Sequence, residues 1–307
     1  MKAKLPYEIV AERKCGFVAV IGAPNVGKST LVNRMVGSKV TIVTPKVQTT
    51  RNLVRGIVSR DSTQLVFVDT PGIFQPKGRL ERAMVGAAWS GSVDANAILH
   101  VVDAQKGATE ETAEISRNLR RTSRQATLVL NKIDLIPKTG LLKLTQILTE
   151  TTTYSDVFMV SAISGDGVDA LLLALSKLMP RGPWLFPENE VSDMPMRRLS
   201  ADITREKLFF ALQQEVPYAC AVETEDWRTL SDGSTRIEQS IFVRRESQRA
   251  IVLGKGGQRI KRIGQQSREE LEDILETRVH LFLHVKVHEK WRDDRRLFLT
   301  WGLDFDA

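Results

Sequence analysis

The residues with the clearest chemistry lie in a glycine-rich segment near the start of the chain. The segment reads Gly22, Ala23, Pro24, Asn25, Val26, Gly27, Lys28, Ser29 and Thr30. It matches G-x-x-x-x-G-K-[ST] and lies between an apolar run and an amphipathic stretch, as this motif requires. Glycines let backbone N–H groups surround a phosphate, and the N-terminus of a following helix favours anions. We therefore expect a phosphate-binding loop, or P-loop, in which Lys28 reaches the β- and γ-phosphates and Ser29 ligates Mg²⁺.

Two further segments contain residues suited to that cation. Asp69, Thr70, Pro71 and Gly72 follow the apolar run 65–68. An acid at the carboxyl end of a strand beside a P-loop can hold Mg²⁺ through water, and the Gly72 N–H can then sense the γ-phosphate. Thr49 and Thr50 lie between the first predicted helix and the second predicted strand. The resemblance of these segments to the motifs of P-loop GTPases implies that a threonine at this place closes over the cation. We prefer Thr50, with Thr49 as the alternative, so the predicted Mg²⁺ ligands are Ser29, Thr50 and Asp69.

A further segment can distinguish one base from another. Asn131, Lys132, Ile133 and Asp134 follow the apolar run 127–130. The Asp134 carboxylate can accept hydrogen bonds from the N1–H and 2-amino groups of guanine, whereas adenine lacks both donors and would leave the carboxylate unsatisfied. Asn131 either bonds the base or ties this loop to the P-loop, and the Lys132 stem covers the ring. Ser161 and Ala162, which follow the run 157–160, are expected to add a backbone N–H to the guanine oxygen.

The elements that must position these residues alternate between strands and helices in the first half of the chain. Short, β-branched apolar runs predict buried strands at 17–21, 53–58, 65–68, 98–102, 127–130 and 157–160. Amphipathic stretches predict helices at 29–36, 110–121 and 168–178. This alternation is typical of an α/β fold, with a mostly parallel six-stranded sheet and helices on both faces.

Taken in order, the four segments resemble the G1, G3, G4 and G5 motifs of the Ras-like, translation-factor-class GTPases. The resemblance implies a P-loop GTPase domain that binds GTP at these residues, with catalytic roles for Lys28, Thr50, Gly72 and Asn25. Related enzymes carry a water-positioning Gln directly after the glycine of the third motif, but this chain has Ile73, which cannot hydrogen-bond water. Slow hydrolysis is therefore expected. In related GTPases an Asn at the position of Asn25 helps bind K⁺; here Asn25 either does so or supports the tight turn.

The second half of the chain contains a different pattern. Prolines and a glycine punctuate residues 179–196, which predicts an extended linker. A helix is then predicted at 204–214, strands at 219–224 and 236–244, a helical region at 249–276 and a strand at 279–287. The order resembles an α+β KH domain of type II, in which a G-x-x-G loop clamps single-stranded nucleic acid. Gly254 and Gly257 supply this pattern.

Charge is concentrated around that loop, because residues 244–268 carry eight basic side chains and a single acid. Apolar residues that include Val252 would form the floor of a groove for bases, and basic residues its rim. The predicted RNA-binding residues are Arg244, Arg245, Ile251, Leu253, Gly254, Lys255, Gly256, Gly257, Arg259, Ile260, Lys261 and Arg262.

The whole chain resembles the Era family of bacterial GTPases, with a GTPase domain at 1–179, a Pro-rich linker at 180–200 and a KH domain at 201–307. Segments 202–208, 251–257, 285–287 and 290–293 look like that family's. The resemblance implies binding to the 3′ end of 16S ribosomal RNA, assistance in biogenesis of the small (30S) ribosomal subunit, and peripheral attachment to the inner membrane. The alternative is a GTPase scaffold that regulates a protein partner, with a KH-like domain that does not bind RNA.

Bulk properties restrict these possibilities further. The chain has 307 residues, enough for two domains, and a formal net charge of +7. Cys15 and Cys220 are too few for a disulfide framework, and the sequence contains no apolar run of about 18 residues. We therefore expect a cytoplasmic protein, and a monomer. A nucleotide-metabolising kinase is disfavoured, because residues 131–134 select guanine and no second substrate motif is present.

Overall fold

The computed structural model describes residues 13–152 and 154–307. Backbone contacts divide the chain into two compact units. Among the described residues, the first unit contains 13–41, Thr50–Asp193 and Trp301–Ala307. The second unit contains Ile42–Thr49 and Met194–Thr300. The domain boundaries predicted from the sequence stay predictions.

The first unit is built on a six-stranded sheet with the order β2-β3-β1-β4-β5-β6. Its strands are β1 (Lys14–Ile21), β2 (Val54–Arg60), β3 (Thr63–Asp69), β4 (Ala97–Asp103), β5 (Thr127–Asn131) and β6 (Val157–Val160). Every pairing is parallel except that of β2 with β3. The mostly parallel sheet predicted from the sequence is thereby confirmed. Because β1, β3, β4, β5 and β6 point the same way, the segments that follow them meet at one edge of the sheet.

Helices cover both faces of this sheet. They are α1 (Lys28–Val36), α2 (Arg79–Ser90), α3 (Glu110–Arg121), α4 (Lys138–Thr151) and α5 (Val168–Leu178). On one face, Val20 and Val101 pack with Leu31 of α1 and Leu171 of α5. On the other face, Ile21 and Ile98 pack with Ile115 and Leu119 of α3. Burial of these apolar strands on two sides explains their nearly continuous hydrophobic sequence.

The Pro-rich segment after α5 lies along the β2–β3 edge of the first unit. The buried side chain of Gln64 accepts hydrogen bonds from the backbone N–H groups of Leu185 and Phe186, at 2.9 and 3.0 Å. The Ile57 N–H donates to the Val191 carbonyl at 2.9 Å. The extended segment is therefore bound to the sheet. The next helix begins at Met196 rather than at 204, directly after Pro195, whose fixed φ suits a helix start.

The second unit is an α+β module with a three-stranded sheet of order β7-β8-β9. Its elements are α6 (Met196–Ala211), β7 (Ala221–Thr229), β8 (Thr235–Val243), α7 (Glu246–Leu253), α8 (Gln258–Leu275), β9 (Val279–Val287) and α9 (Arg295–Trp301). β7 and β8 are antiparallel, whereas β8 and β9 are parallel. The core joins Leu208 of α6 and Ile263 of α8 to Val222 and Ile241 of the sheet. The order from α6 to β9 confirms the KH arrangement predicted from the sequence.

Candidate functional site

The P-loop connects β1 to α1, and two of its glycines cannot be replaced without a clash. Gly22 has φ 156° and Gly27 has φ 94°, both in the region that favours glycine. A Cβ on Gly22 would lie 2.4 Å from the Val101 carbonyl oxygen, and one on Gly27 would lie 2.3 Å from the Asn131 Nδ2 atom. The loop is therefore packed against the ends of β4 and β5, which fixes the direction of its N–H groups.

Lys28 is the buried cation of this loop. Its Nζ donates to the carbonyl oxygens of Gly22 and Ala23 at 3.1 and 3.0 Å. Burial lowers the pKa of Lys28 to about 8, and the charge of Asp69 opposes that change. A phosphate beside this ammonium group would stabilise its charged form, because the surrounding protein supplies little solvation.

Hydroxyl groups converge on the Asp69 carboxylate at the end of β3. Ser29 Oγ donates to Asp69 Oδ2 at 2.7 Å and lies 2.9 Å from Thr50 Oγ1. Thr50 Oγ1 and Thr41 Oγ1 lie 3.4 and 3.1 Å from the same carboxylate oxygen. The Thr49 hydroxyl instead lies 2.6 Å from that of Thr44, which favours Thr50 over Thr49 as the switch threonine. Thr41 was missed by sequence reasoning, since no motif spacing marks it.

This oxygen cluster fits a magnesium ion. Asp69 is fully buried, and its Oδ1 atom has no hydrogen-bond partner among the described residues. Burial raises the pKa of Asp69, while hydrogen bonds from Ser29 and the charge of Lys28 act in the opposite direction. Mg²⁺ prefers carboxylate, hydroxyl and water oxygens, and a divalent charge would keep the carboxylate ionised. Ser29 and Thr50 would hold the ion directly and Asp69 through water.

The loop after β5 is tied to the P-loop by side chains. Asn131 Nδ2 donates to the Val26 carbonyl at 2.9 Å, and Asn131 Oδ1 accepts from the Ala162 N–H at 3.0 Å. Of the two roles considered for Asn131, the structure shows the one in which its side chain joins this loop to the P-loop. Lys132 Nζ donates to the Asn25 carbonyl at 2.9 Å and to Asp103 Oδ2 at 2.6 Å. Asp103, missed by sequence reasoning, is recognisable only as an acid that ends β4 at the same sheet edge.

Asp134 is accessible in the loop 131–134, which we call the base-reading loop. Asp134 lies exposed in a single 3-10 turn, Ile133–Leu135, directly after Lys132 with φ 65°. Ser161 directly follows β6, and its backbone carbonyl accepts from the Gly165 N–H at 2.8 Å. The loops after β5 and β6 start at the same carboxyl edge of the sheet as the P-loop. This geometry is suited to holding a base while the P-loop holds the phosphates of the same nucleotide.

The segment after Asp69 is fixed against the P-loop as well. The Thr70 hydroxyl donates to the Val20 carbonyl at 2.7 Å, and the Ile73 N–H donates to the Gly22 carbonyl at 3.1 Å. Gly72 lies beside Pro24, where a Cβ would approach the proline ring to 2.9 Å. The Ile73 side chain is buried in the apolar cluster with Ile21 and cannot hydrogen-bond water. Another group must therefore position the water that attacks the γ-phosphate.

The second candidate site surrounds the G-x-x-G loop. Gly254 caps the C-terminus of α7 with φ 73°, and a Cβ there would lie 2.7 Å from the Cβ of Arg259. Gly256 and Gly257 have φ 57° and 75° and face open space. Lys255 is exposed beside them. The loop therefore offers accessible backbone and one cation, the two features that a sugar–phosphate chain requires.

A cleft of about 370 Å³ lies between α8, the helix that follows this loop, and β9. Its lining residues are Ile260, Lys261, Gly264, Gln265, Arg268, Leu281 and Leu283. Only Ile260 and Lys261 were predicted. Val252 is fully buried in the core, so its expected place on the groove floor is wrong.

The other predicted RNA-binding residues lie around the loop. Ile251 is 41% exposed, and Leu253 is half-buried. Arg259 Nη1 donates to the Ile251 carbonyl, which ties the start of α8 to α7 across the loop. Exposed basic side chains belong to Arg244, Arg245, Lys255, Lys261 and Arg262. The site thus combines an apolar cleft with a cationic border.

A P-loop beside an oxygen cluster that fits magnesium, with a loop suited to guanine and a KH module after it, defines a class: P-loop GTPases that carry a nucleic-acid-binding domain. A family described as 50S ribosome-binding GTPase matches residues 17–132, and a family described as KH domain matches residues 215–292. GTPase Era of Bradyrhizobium sp. (strain BTAi1 / ATCC BAA-1182) is 55% identical over 295 residues, 96% of each chain. GTPase Era of Caulobacter vibrioides (strain NA1000 / CB15N) is 52% identical over 98% of this chain and 99% of its own. The chain belongs to the Era family of GTPases.

Solved structures agree with this assignment. A crystal structure of Era in complex with MgGDPNP and nucleotides 1506–1542 of 16S ribosomal RNA superimposes with a TM-score of 0.90 at 37% identity, over 94% of this chain and 99% of that one. A single-substitution variant of Aquifex aeolicus Era bound to GDP·AlF4⁻ gives a TM-score of 0.89 at the same identity and coverage. Among the described residues, no helix is both long and apolar enough to cross a bilayer.

Proposed function

We propose that this GTPase binds Mg²⁺–GTP at the P-loop, hydrolyses it slowly, and binds the single-stranded 3′ region of 16S ribosomal RNA in its KH groove during biogenesis of the small (30S) subunit. The observation that carries the RNA part is the accessible G-x-x-G loop beside an apolar cleft with basic borders. The similar Era protein bound to nucleotides 1506–1542 of 16S ribosomal RNA supports the choice of RNA. Peripheral attachment to the inner membrane, implied by the resemblance alone, stays a prediction.

The chemistry of each part of the groove supports this reading. The backbone at Gly256 and Gly257 can approach phosphates closely, and Lys255 adds charge. Leu281, Leu283 and Ile260 offer an apolar surface against which unstacked bases can lie. Arg268 and Lys261 stand at the edges of this surface, where phosphates of the same strand would be.

The two activities are proposed to be coupled through the peptide between Thr41 and Thr50. These two threonines contact Asp69 in the first unit, whereas residues 42–49 belong to the second unit. Within the second unit, Arg205 Nη1 donates to the Thr49 carbonyl at 2.6 Å, and Glu206 Oε1 accepts from the Val43 N–H at 2.8 Å. Because Mg²⁺ and the γ-phosphate order the switch threonine, the position of this peptide on α6 should depend on the nucleotide.

The first experiment tests this coupling. RNA of nucleotides 1506–1542 is expected to bind roughly tenfold differently in the presence of GDPNP and of GDP, a common size for allosteric coupling. Glu206→Ala, which removes the acceptor for Val43, should bring the ratio of the two dissociation constants towards one. Phe210→Ala is the control on the same helix, because the Phe210 side chain is 58% exposed. Equal wild-type affinities in both nucleotide states would mean two independent modules.

K⁺ is proposed as a second cation at Asn25. Asn25 has φ 62°, and its carbonyl accepts from Lys132. Turnover should be roughly tenfold or more faster in K⁺ than in Na⁺, since a cation near the transferred phosphoryl group replaces part of an arginine finger. Asn25→Gly separates the two roles, because glycine keeps the left-handed turn but lacks the side-chain oxygen. A variant that keeps the full K⁺ stimulation would leave Asn25 with the turn alone.

A further inference from the structure

The last residues of the chain belong to the first unit. We define the C-terminal tail as Trp301–Ala307. Its apolar side chains at Trp301 and Leu303 are buried, and Phe305 is half-buried. Apolar side chains at the end of an unpacked chain would be exposed to water. The burial of these side chains therefore means that the tail packs against the protein.

Trp301 contacts the residue next to the switch threonine. The centre of the Arg51 guanidinium group lies 5.7 Å from the centroid of the Trp301 ring, within the range of a cation–π contact. Arg51 is buried and directly follows Thr50. Thr50 contacts Ser29 and Asp69 through its hydroxyl. The Trp301 ring therefore lies against the residue that follows Thr50, whose hydroxyl belongs to the oxygen cluster at Asp69.

The other end of the tail contacts the helix that follows Gly72. The Arg79 guanidinium group lies 4.4 Å from the centroid of the Phe305 ring, and Arg79 is the first residue of α2. Arg82 Nε donates to the backbone oxygen of Ala307 at 3.4 Å. A Cβ on Gly86 would lie 3.8 Å from the Cβ of Ala307. The tail thus follows α2 over two turns.

We propose that the tail is a positioning element for the triphosphate: Trp301 acts through Arg51 on Thr50, and Phe305 acts through Arg79 on the segment at Gly72. GTP needs Thr50 and Gly72 at the γ-phosphate, whereas GDP depends on the P-loop and the base-reading loop. The tail therefore increases the affinity for GTP relative to GDP.

The test compares the dissociation constants of GDPNP and GDP for the full chain with Mg²⁺. In Trp301→Ala and in Phe305→Ala, the constant for GDPNP should rise about three- to tenfold, as expected for loss of one partly buried cation–π contact. The constant for GDP should change by less than about twofold, since the P-loop contacts are intact. Trp301→Phe keeps a ring over Arg51 and should restore most of the GDPNP affinity.

Leu299→Ala is the control, because Leu299 lies on α9 and is 70% exposed. It should leave both constants unchanged. Equal weakening of GDP and GDPNP in the tail variants would assign the tail a general stabilising role and overturn the proposal. Unchanged constants in both variants would overturn it as well. If Trp301→Ala does not fold, the half-buried Phe305 still decides the question.

Discussion

Asp134→Asn should lower the affinity for GTP and GDP by at least about 100-fold, because two hydrogen bonds to a charged acceptor are lost or reversed. Guanine presents the N1–H and 2-amino donors to the carboxylate. Asparagine can accept from N1–H, but its own N–H then faces the 2-amino group. Xanthine has a carbonyl oxygen at that position, which can accept from the asparagine amide. The variant should therefore bind XTP in preference to GTP, and calorimetry with both nucleotides and Mg²⁺ measures the change.

The exposed position of Asp134 makes this substitution a clean one. The side chain is accessible in its 3-10 turn, so loss of the charge should not disturb the packing below it. Asp169→Asn is the matched control, since that carboxylate is 91% exposed and pairs with Arg60 on another part of the unit. Guanine affinity that survives Asp134→Asn, or adenine nucleotides that bind as well as guanine nucleotides, would remove the basis for a GTP-specific site.

The parts of the nucleotide site that lie in one short stretch of sequence, or at the end of a parallel strand, could be predicted from the sequence. The P-loop is a contiguous segment. Glycine is required at 22 and 27 by the backbone angles and by the close approach of Val101 and Asn131. Asp69 and Asn131 were recognisable because each ends a parallel strand, and parallel strands bring their ends together. Thr41 could not be found in this way, since it joins the cluster only through the path of the loop after α1.

The KH groove was predicted less completely, for a related reason. The G-x-x-G loop has a sequence signature, but the cleft beside it depends on how β9 pairs with β8. Leu281 and Leu283 share one face of β9, but Phe282 between them is apolar as well, so the sequence does not say which face of the strand meets the cleft. Val252 sits in the same apolar run as Ile251, and only the helical turn of α7 separates the buried side chain from the exposed one.

Lys255→Asp combined with Gly256→Asp should weaken binding to RNA of nucleotides 1506–1542 by about 100-fold or more, because two carboxylates would replace a cation at the phosphate-binding loop. The fold should survive this change. Gly256 has φ 57°, a conformation that aspartate tolerates better than most residues, and its Cβ would meet no atom within 4 Å. GTP affinity should stay within about twofold of the wild type, since the P-loop lies in the other unit.

A charge-matched control separates recognition from simple repulsion. Leu142→Asp with Lys143→Asp makes the same change in net charge on two exposed residues of α4, and should reduce RNA affinity only slightly. The dependence of affinity on salt gives a second readout, because loss of the Lys255 contact should reduce the slope by about one ion. RNA binding that withstands the acidic loop would mean that the KH-like module serves as a scaffold for a protein partner. In that case the bound nucleotide would regulate binding of the protein partner to the KH-like module. Residues 42–49 would then couple the nucleotide to that partner instead of to RNA.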